Sequence, residues 1–259
     1  MTGHHHARSG VLRLLVGFAL ASAVAVSGVG PLAAPAGAAD QYQVDVARHA
    51  DFVQQTNFVQ CVGASLQMMI NMIEPGRDRS AREQLRLQQL ARKLSPSRRD
   101  GTSRRGASVR GWVKVLHREV EQPYRLVGTD TLNQAVKLAA RAIERTGAPV
   151  GLLVWRGRHA WVMSGFEATK DVSDGGKVTS VTIYDPLYPY GDDFWGPSPR
   201  PGVPISVRAL GRQFVARRTN NNNNNNQFTT TLQQAYPTLS GKYVLVLPYV
   251  PHTPVRRPA

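Results

Sequence analysis

Cysteine is almost missing from this chain: Cys61 is the only one in 259 residues. Without a second thiol no intramolecular disulfide can form, so a hydrophobic core must hold the fold. Acidic residues are also scarce, 17 against 32 Lys and Arg, giving a formal net charge of +15. Such a chain adheres with little specificity to anionic polymers, membranes or nucleic acid. Aromatic residues make up 7% of the sequence, and none interleaves with the arginines of 77–110 (which include SPSRRDGTSRRGAS). A stacking platform for nucleic acid is therefore not expected, and the stretch reads as a solvated basic loop with non-specific contact to anionic polymer. There is no G-x-x-x-x-G-K-[ST] phosphate loop, no G-x-S-x-G elbow, no H-E-x-x-H and no cysteine pair for zinc. His49, His117 and His252 lack ligand spacing and read as surface or packing residues. No metal or cofactor is expected.

The one long apolar run, Leu14–Val26, is shorter than the ~20 residues of a spanning helix, and Gly28, Gly30 and Pro31 interrupt its extension. Arg8 and Arg13 precede it, and Ala36-Gly37-Ala38 follows as an Ala-x-Ala-like cleavage site. The expectation is a signal peptide over 1–39, cleaved near Ala38 or Ala39, a secreted product, and membrane contact only during export. The histidines at 4–6 would leave with it. Losing Arg8 and Arg13 leaves 30 basic residues against 17 acidic ones, a mature charge of +13. An odd cysteine in an exported protein implies intermolecular pairing or a reactive nucleophile, against the plain alternative of a buried inert residue.

After Cys61, Val62, Leu66, Met69, Ile70 and Ile73 keep helical spacing until Pro75-Gly76 ends the run. Further helices are expected over 81–94, with Leu87, Leu90 and Leu94 inward, over 109–119, and over 131–145 behind a cap at Asp130 or Thr129. Strands are expected at 124–127, 150–155, 159–166, 178–184 and 243–250, with Pro248 marking an edge or an ending. The asparagine run 220–226 reads as a low-complexity loop within 219–227. No internal repeat is present. The order of elements predicts an α+β fold in a single domain over 40–250, with a helical lobe (about 54–146), a mostly antiparallel sheet lobe (about 149–250) and a tail at 251–259.

Pairing Phe166 with Val178 in an unbulged hairpin places His159 opposite Asp185. Alternation then puts His159, Trp161 and Met163 on one face with Asp185, Ile183 and Val181. A carboxylate beside an imidazole fixes its tautomer, although a structural His–Asp bond at a sheet end would look the same. At Cys61, the first turn of a helix offers free N–H groups and partial positive charge, which favour a thiolate. Gln55, six residues upstream, can join the Cys61 N–H in stabilising an oxyanion; Gln54 and Gln60 are the alternatives. The aromatic-rich 184–197 stretch reads as a rim loop or an ordinary packed loop, with Asp192 and Asp193 as candidate partners for a basic substrate group.

Taken together, QTNFVQCVGASLQMM, APVGLLVWRGRHAWVMSGFE and VTIYDPLYP resemble the papain-like cysteine peptidases. The closer likeness is to the bacteriocin-processing, double-glycine branch, family thirty-nine. The resemblance spans roughly Gln43 to Pro189. It implies a papain-like fold and, position by position, Gln55, Cys61, His159 and Asp185 as the catalytic set, acting on a peptide or protein. Val62 departs from the glycine that usually follows the nucleophile and could narrow the approach to the thiol. The exporters' transmembrane and nucleotide-binding parts are absent, so leader processing coupled to transport is not implied. The rival reading is a catalytically silent papain-fold protein that binds an anionic cell-surface or wall partner. A weaker third is a dimer disulfide-linked through Cys61.

Overall fold

The computed structural model describes residues 42–76, 78–95, 106–217 and 239–251. The expected signal peptide, the asparagine run, the centre of the Arg-rich stretch (96–105) and residues 252–259 of the tail lie outside the described residues.

The apolar spacing after Cys61 becomes helix α1, Cys61–Ile73, in which every residue from Val62 to Met72 is buried. The Glu74 N–H closes it on the Ile70 carbonyl, and Gly76, at φ 87°, turns the chain away. Helix α2 (Ala81–Lys93) is capped by Ser80, whose hydroxyl accepts from the Glu83 N–H. Helix α3 (Val109–Glu119) is capped in the same way by Ser108. Helix α4 (Leu132–Thr146) starts in a reciprocal capping box between Thr131 and Gln134 and ends at left-handed Gly147. The expected caps Asp130 and Thr129 are thus corrected to Thr131. The box needs a Gln or Glu three residues after the cap, and the Asp130 carboxylate pairs instead with Lys242.

The strands are β1 (Tyr42–Asp45), β2 (Tyr124–Thr129), β3 (Val150–Val154), β4 (His159–Ala168), β5 (Val178–Tyr184), a small hairpin of β6 (Gly191–Asp192) and β7 (Gly196–Pro197), β8 (Pro204–Ser206) and β9 (Tyr243–Pro248). All pairings are antiparallel, and the main sheet runs β2-β9-β3-β4-β5-β8 with β1 also on β4. A short helix α5 (Val207–Leu210) follows β8. The fold is α+β. β1 and β8 are too short to show alternation, and the sequence pattern does not reveal them.

The helices do not gather into one lobe. One core unites Leu66 and Met69 of α1, Leu87 of α2 and Trp112 and Leu116 of α3 with Ala160, Val162, Val244 and Val246 of the sheet. A second core, on the other face, unites Val136, Ala139 and Ile143 of α4 with Leu152, Trp161, Met163, Phe166 and Ile183. The sheet is therefore covered on both faces, and β3 reads as a continuous apolar run because it lies centrally between them.

The expected hairpin register is also corrected. Phe166 pairs with Val181, not Val178, because β4 runs on to Ala168, which takes Val178 as its partner; Ser164 is an extra residue in β4 and Thr179 one in β5, so the two irregularities cancel across the hairpin. At the other end Met163 pairs with Ile183 and Val162 with Tyr184. Continuing that pairing would set Asp185 opposite Trp161, so His159 is its diagonal neighbour rather than its direct partner.

Candidate functional site

Cys61 is the first residue of α1, so its own N–H has no acceptor within the helix. The loop leading into it is held by two glutamines of α2. The Gln84 amide accepts from Thr56 N–H (2.8 Å) and donates to the Gln54 carbonyl (3.0 Å). The Gln88 amide accepts from Gly63 N–H (2.9 Å) and donates to the Val59 carbonyl (2.9 Å). α1 and α2 approach closely at Gly63, where a Cβ would lie 2.8 Å from both the Gln84 carbonyl oxygen and the Gln88 Cβ. Val62 is buried and packs into the first core. Sequence reading missed Gln84 and Gln88. The available signal was polar residues at i and i+4 beside Leu87, and the buried face of α2 is Gln84, Leu87, Gln88 and Ala91, whereas Leu90 and Leu94 are only partly buried.

His159 opens β4, and the buried Ser65 hydroxyl of α1 donates to the carbonyl of the next residue, Ala160 (3.2 Å). That bond aligns the thiol helix with the histidine strand. The His159 Nε2–H donates to Asp185 Oδ1 at 2.7 Å, and both side chains are buried. With Nε2 occupied by Asp185, Nδ1 is the ring nitrogen left for Cys61, which acts on the imidazole and helps to raise it. Asp185 Oδ1 accepts a second bond from Leu187 N–H (2.8 Å), while Oδ2 is buried with no partner among the described residues. Burial by itself would pull the imidazole down, but the hydrogen bonds and charges of Asp185 and Cys61 outweigh it and raise His159 to about 9.

Trp155 was not anticipated. Its ring stacks on the His159 imidazole, centroids 4.2 Å apart and planes 23° from parallel. Trp155 and Arg156 both hold left-handed backbone, at φ 55° and 56°, a conformation that costs non-glycine residues energy. Gln213 holds the turn in place. Its carbonyl accepts the Trp155 backbone N–H (3.0 Å) and its side-chain oxygen accepts the indole Nε1–H (2.9 Å). The sequence hint is an R-G-R turn directly before the histidine, read as a reversal without a role for the tryptophan ahead of it.

Gln55 is buried, and its N–H donates to the Pro186 carbonyl (2.8 Å), which ties the loop before Cys61 to the turn after Asp185. One amide N–H donates to the Asn57 carbonyl (2.9 Å), and Oε1 has no partner. No hydrogen bond joins Gln55 to Cys61 among the described residues. Gln60 has its side-chain oxygen occupied by the Thr56 hydroxyl, and Gln54 is exposed, so neither alternative is better placed. His159 is thus bonded to Asp185 and acted on by Cys61, with Gln55 tied through its backbone to the turn after Asp185. Asp192 Oδ1 accepts from the N–H groups of Phe194 and Trp195, closing its own turn rather than awaiting a basic group. His117 hydrogen-bonds to the Tyr124 carbonyl, a packing role.

The raised imidazole has a consequence for stability. Folded His159 holds its proton to about pH 9, whereas an unfolded histidine releases it near 6.5. The resulting stabilisation is complete below pH 6.5 and is lost as pH rises through about 9. The unfolding free energy of the wild type relative to His159→Asn should therefore fall by roughly 3 kcal/mol between pH 6 and 9.5. Urea titrations at both pH values check this, and a pH-independent difference would mean that the ring is not held as imidazolium.

No protein-family model matches the chain, and no characterised protein matches it significantly.

Proposed function

We propose that the chain is a secreted, papain-like cysteine peptidase that cleaves peptide or protein amide bonds. The observation that carries this reading is the buried His159 imidazole, shared between Cys61 at a helix start and Asp185 at a strand end. The pairing gives the thiol a proton acceptor and gives the acceptor a fixed orientation. The papain-like assignment is supported by the chain order of Gln55, Cys61, His159 and Asp185 and by the antiparallel sheet behind the cysteine helix.

In this mechanism Cys61 Sγ forms a bond to the substrate carbonyl carbon while its proton resides on His159 Nδ1. The negative oxygen of the tetrahedral intermediate is met by the Cys61 backbone N–H and by the Gln55 amide turned from Asn57. The C–N bond then breaks, and the His159 proton goes to the departing amine. Water, deprotonated by the neutral imidazole, attacks the thioester and releases the acid and the thiol. An amine in place of water would make the same site a transpeptidase. Trp155 and Asp185 act through His159 as positioning residues.

Incubating the mature protein with a denatured-protein mixture, and mapping new N-termini by mass spectrometry, tests the proposal. The expected result is a set of cleavages that falls to background in Cys61→Ala. Identical termini from wild type and Cys61→Ala would overturn it.

A further inference from the structure

A concavity lies at the opposite end of the sheet from Cys61. β3 runs toward the site, with Val154 paired to His159, while its other end, at Gly151, pairs with Val246 of β9. β9 continues past that point to Pro248, opposite Tyr124 at the start of β2, and the chain runs on through Tyr249 and Val250 beside the C-terminal turns of α4. The cavity between them measures about 330 Å³. Arg125, Arg141 and Arg145 line it, with no carboxylate among its lining residues. Arg141 and Arg145 are i and i+4 on α4, a spacing at which like charges repel. The carboxylate between them in sequence, Glu144, is engaged elsewhere, accepting from the Val172 N–H and the Ser173 hydroxyl.

Two of these guanidinium groups are oriented. Arg141 Nε donates to the Val172 carbonyl (3.3 Å), which leaves its terminal N–H groups for the cavity. Arg125 lies over the Tyr249 ring, 5.3 Å from the centroid, a cation–π contact that holds its guanidinium at the cavity wall. Tyr249 is itself pinned, donating from its N–H to the Pro123 carbonyl and accepting at its carbonyl from Gln122. Apart from Thr146, whose hydroxyl donates to the Ala142 carbonyl, and Tyr249, the rest of the wall is apolar, including Leu138, Leu247 and Val250. A bare inorganic anion would fill little of this volume, which is at the lower end of the range for organic ligands, ~300–1,000 Å³.

We propose that this cavity binds an organic phosphate. The three guanidinium groups hold the phosphate, whose three terminal oxygens and double charge they match better than a single carboxylate would. The apolar or aromatic body lies against Leu138 and Leu247 beside Tyr249. The site is independent of the thiol chemistry at the other end of the sheet.

Isothermal titration of the mature protein with 1-naphthyl phosphate tests it, with inorganic phosphate and 1-naphthalenemethanol as the charge-only and apolar-only probes. The expected result is saturable 1:1 binding of 1-naphthyl phosphate, about tenfold or more weaker for inorganic phosphate and absent for the alcohol. Arg145→Gln should weaken it about tenfold while leaving the melting temperature in place, because Arg145 is exposed. Arg141→Gln is the second variant, with the same expected loss. Failure of 1-naphthyl phosphate to saturate at millimolar concentration, or equal binding by both variants and wild type, would overturn the proposal. Binding to phosphatidate vesicles but not to 1-naphthyl phosphate would also overturn it, by assigning the arginines to a membrane surface.

Discussion

At pH 6, His159→Ala is expected to slow alkylation of Cys61 by iodoacetamide about 100-fold or more. Only the thiolate reacts, and an ordinary thiol ionising near 8.5 is about 0.3% thiolate at that pH. In the wild type the neighbouring ring is imidazolium to about pH 9, and its positive charge adds to that of the helix start beneath the sulfur. The wild-type rate should therefore exceed that of the variant at pH 6, and the ratio should narrow as pH rises through about 9, where the ring loses its charge. Intact-protein mass reads both rates without any knowledge of the substrate, and Cys61 is the only site for the label. Parallel pH profiles in the two proteins would remove the thiolate–imidazolium pair and leave at most a general-base mechanism. A wild-type thiol that labels only after denaturation would remove the catalytic reading altogether and favour the silent binding protein. Cys61 is only partly buried, which argues against that last outcome.

His159 and Asp185 were found from the sequence by a register that is wrong by two residues at that end of the hairpin. The pair survives because two is even: strand side chains alternate, so a shift of two keeps His159 and Asp185 on one face and changes a direct pair to a diagonal one. Asp185 lies just beyond β5 in a turn whose Leu187 and Tyr188 N–H groups bond back to it, a geometry that helps a short carboxylate reach the diagonal neighbour. The irregularities, one in β4 at Ser164 and one in β5 at Thr179, could not be read, since nothing in VMSGFEA or VTSVTIY distinguishes an inserted residue from a paired one. Helix α1 was legible because its burial is set by apolar spacing. The support around the site was not, because it consists of polar side chains serving distant groups: Gln84, Gln88 and Gln213 bond to partners 28, 25 and 58 residues away. No local pattern records such a partner. Trp155 was hidden for a related reason. Its left-handed backbone is imposed by Gln213, a tertiary contact, and tryptophan does not advertise that conformation as glycine does.

Asparagine in place of Asp185 should be tolerated far better than alanine. Asp185 uses one oxygen, Oδ1, for both of its hydrogen bonds, to His159 Nε2–H and to Leu187 N–H, and Oδ2 has no partner. An asparagine oriented with its oxygen at the Oδ1 position keeps both bonds and the same histidine tautomer, with Nδ1 still facing the thiol. Its NH₂ then occupies the place of Oδ2, an unpaired buried donor that costs stability by about 1–3 kcal/mol. What the substitution removes is charge, so the imidazolium is less favoured and His159 titrates below the wild-type value of about 9. Alanine removes the acceptor as well, freeing the ring to rotate and leaving the Leu187 N–H unpaired. The expected losses in alkylation rate at pH 6 are about tenfold for Asp185→Asn and about 100-fold for Asp185→Ala, the latter equal to His159→Ala, with peptide turnover falling further in each. NMR titration of the His159 ring separates this from a merely structural role, since a structural defect would not lower the imidazole pKa in a folded Asp185→Asn protein. If Asp185→Asn is as inactive as Asp185→Ala, the amide has flipped to present NH₂ to His159. Orientation by a single acceptor oxygen would then be the wrong account, and the carboxylate charge would be what the site requires.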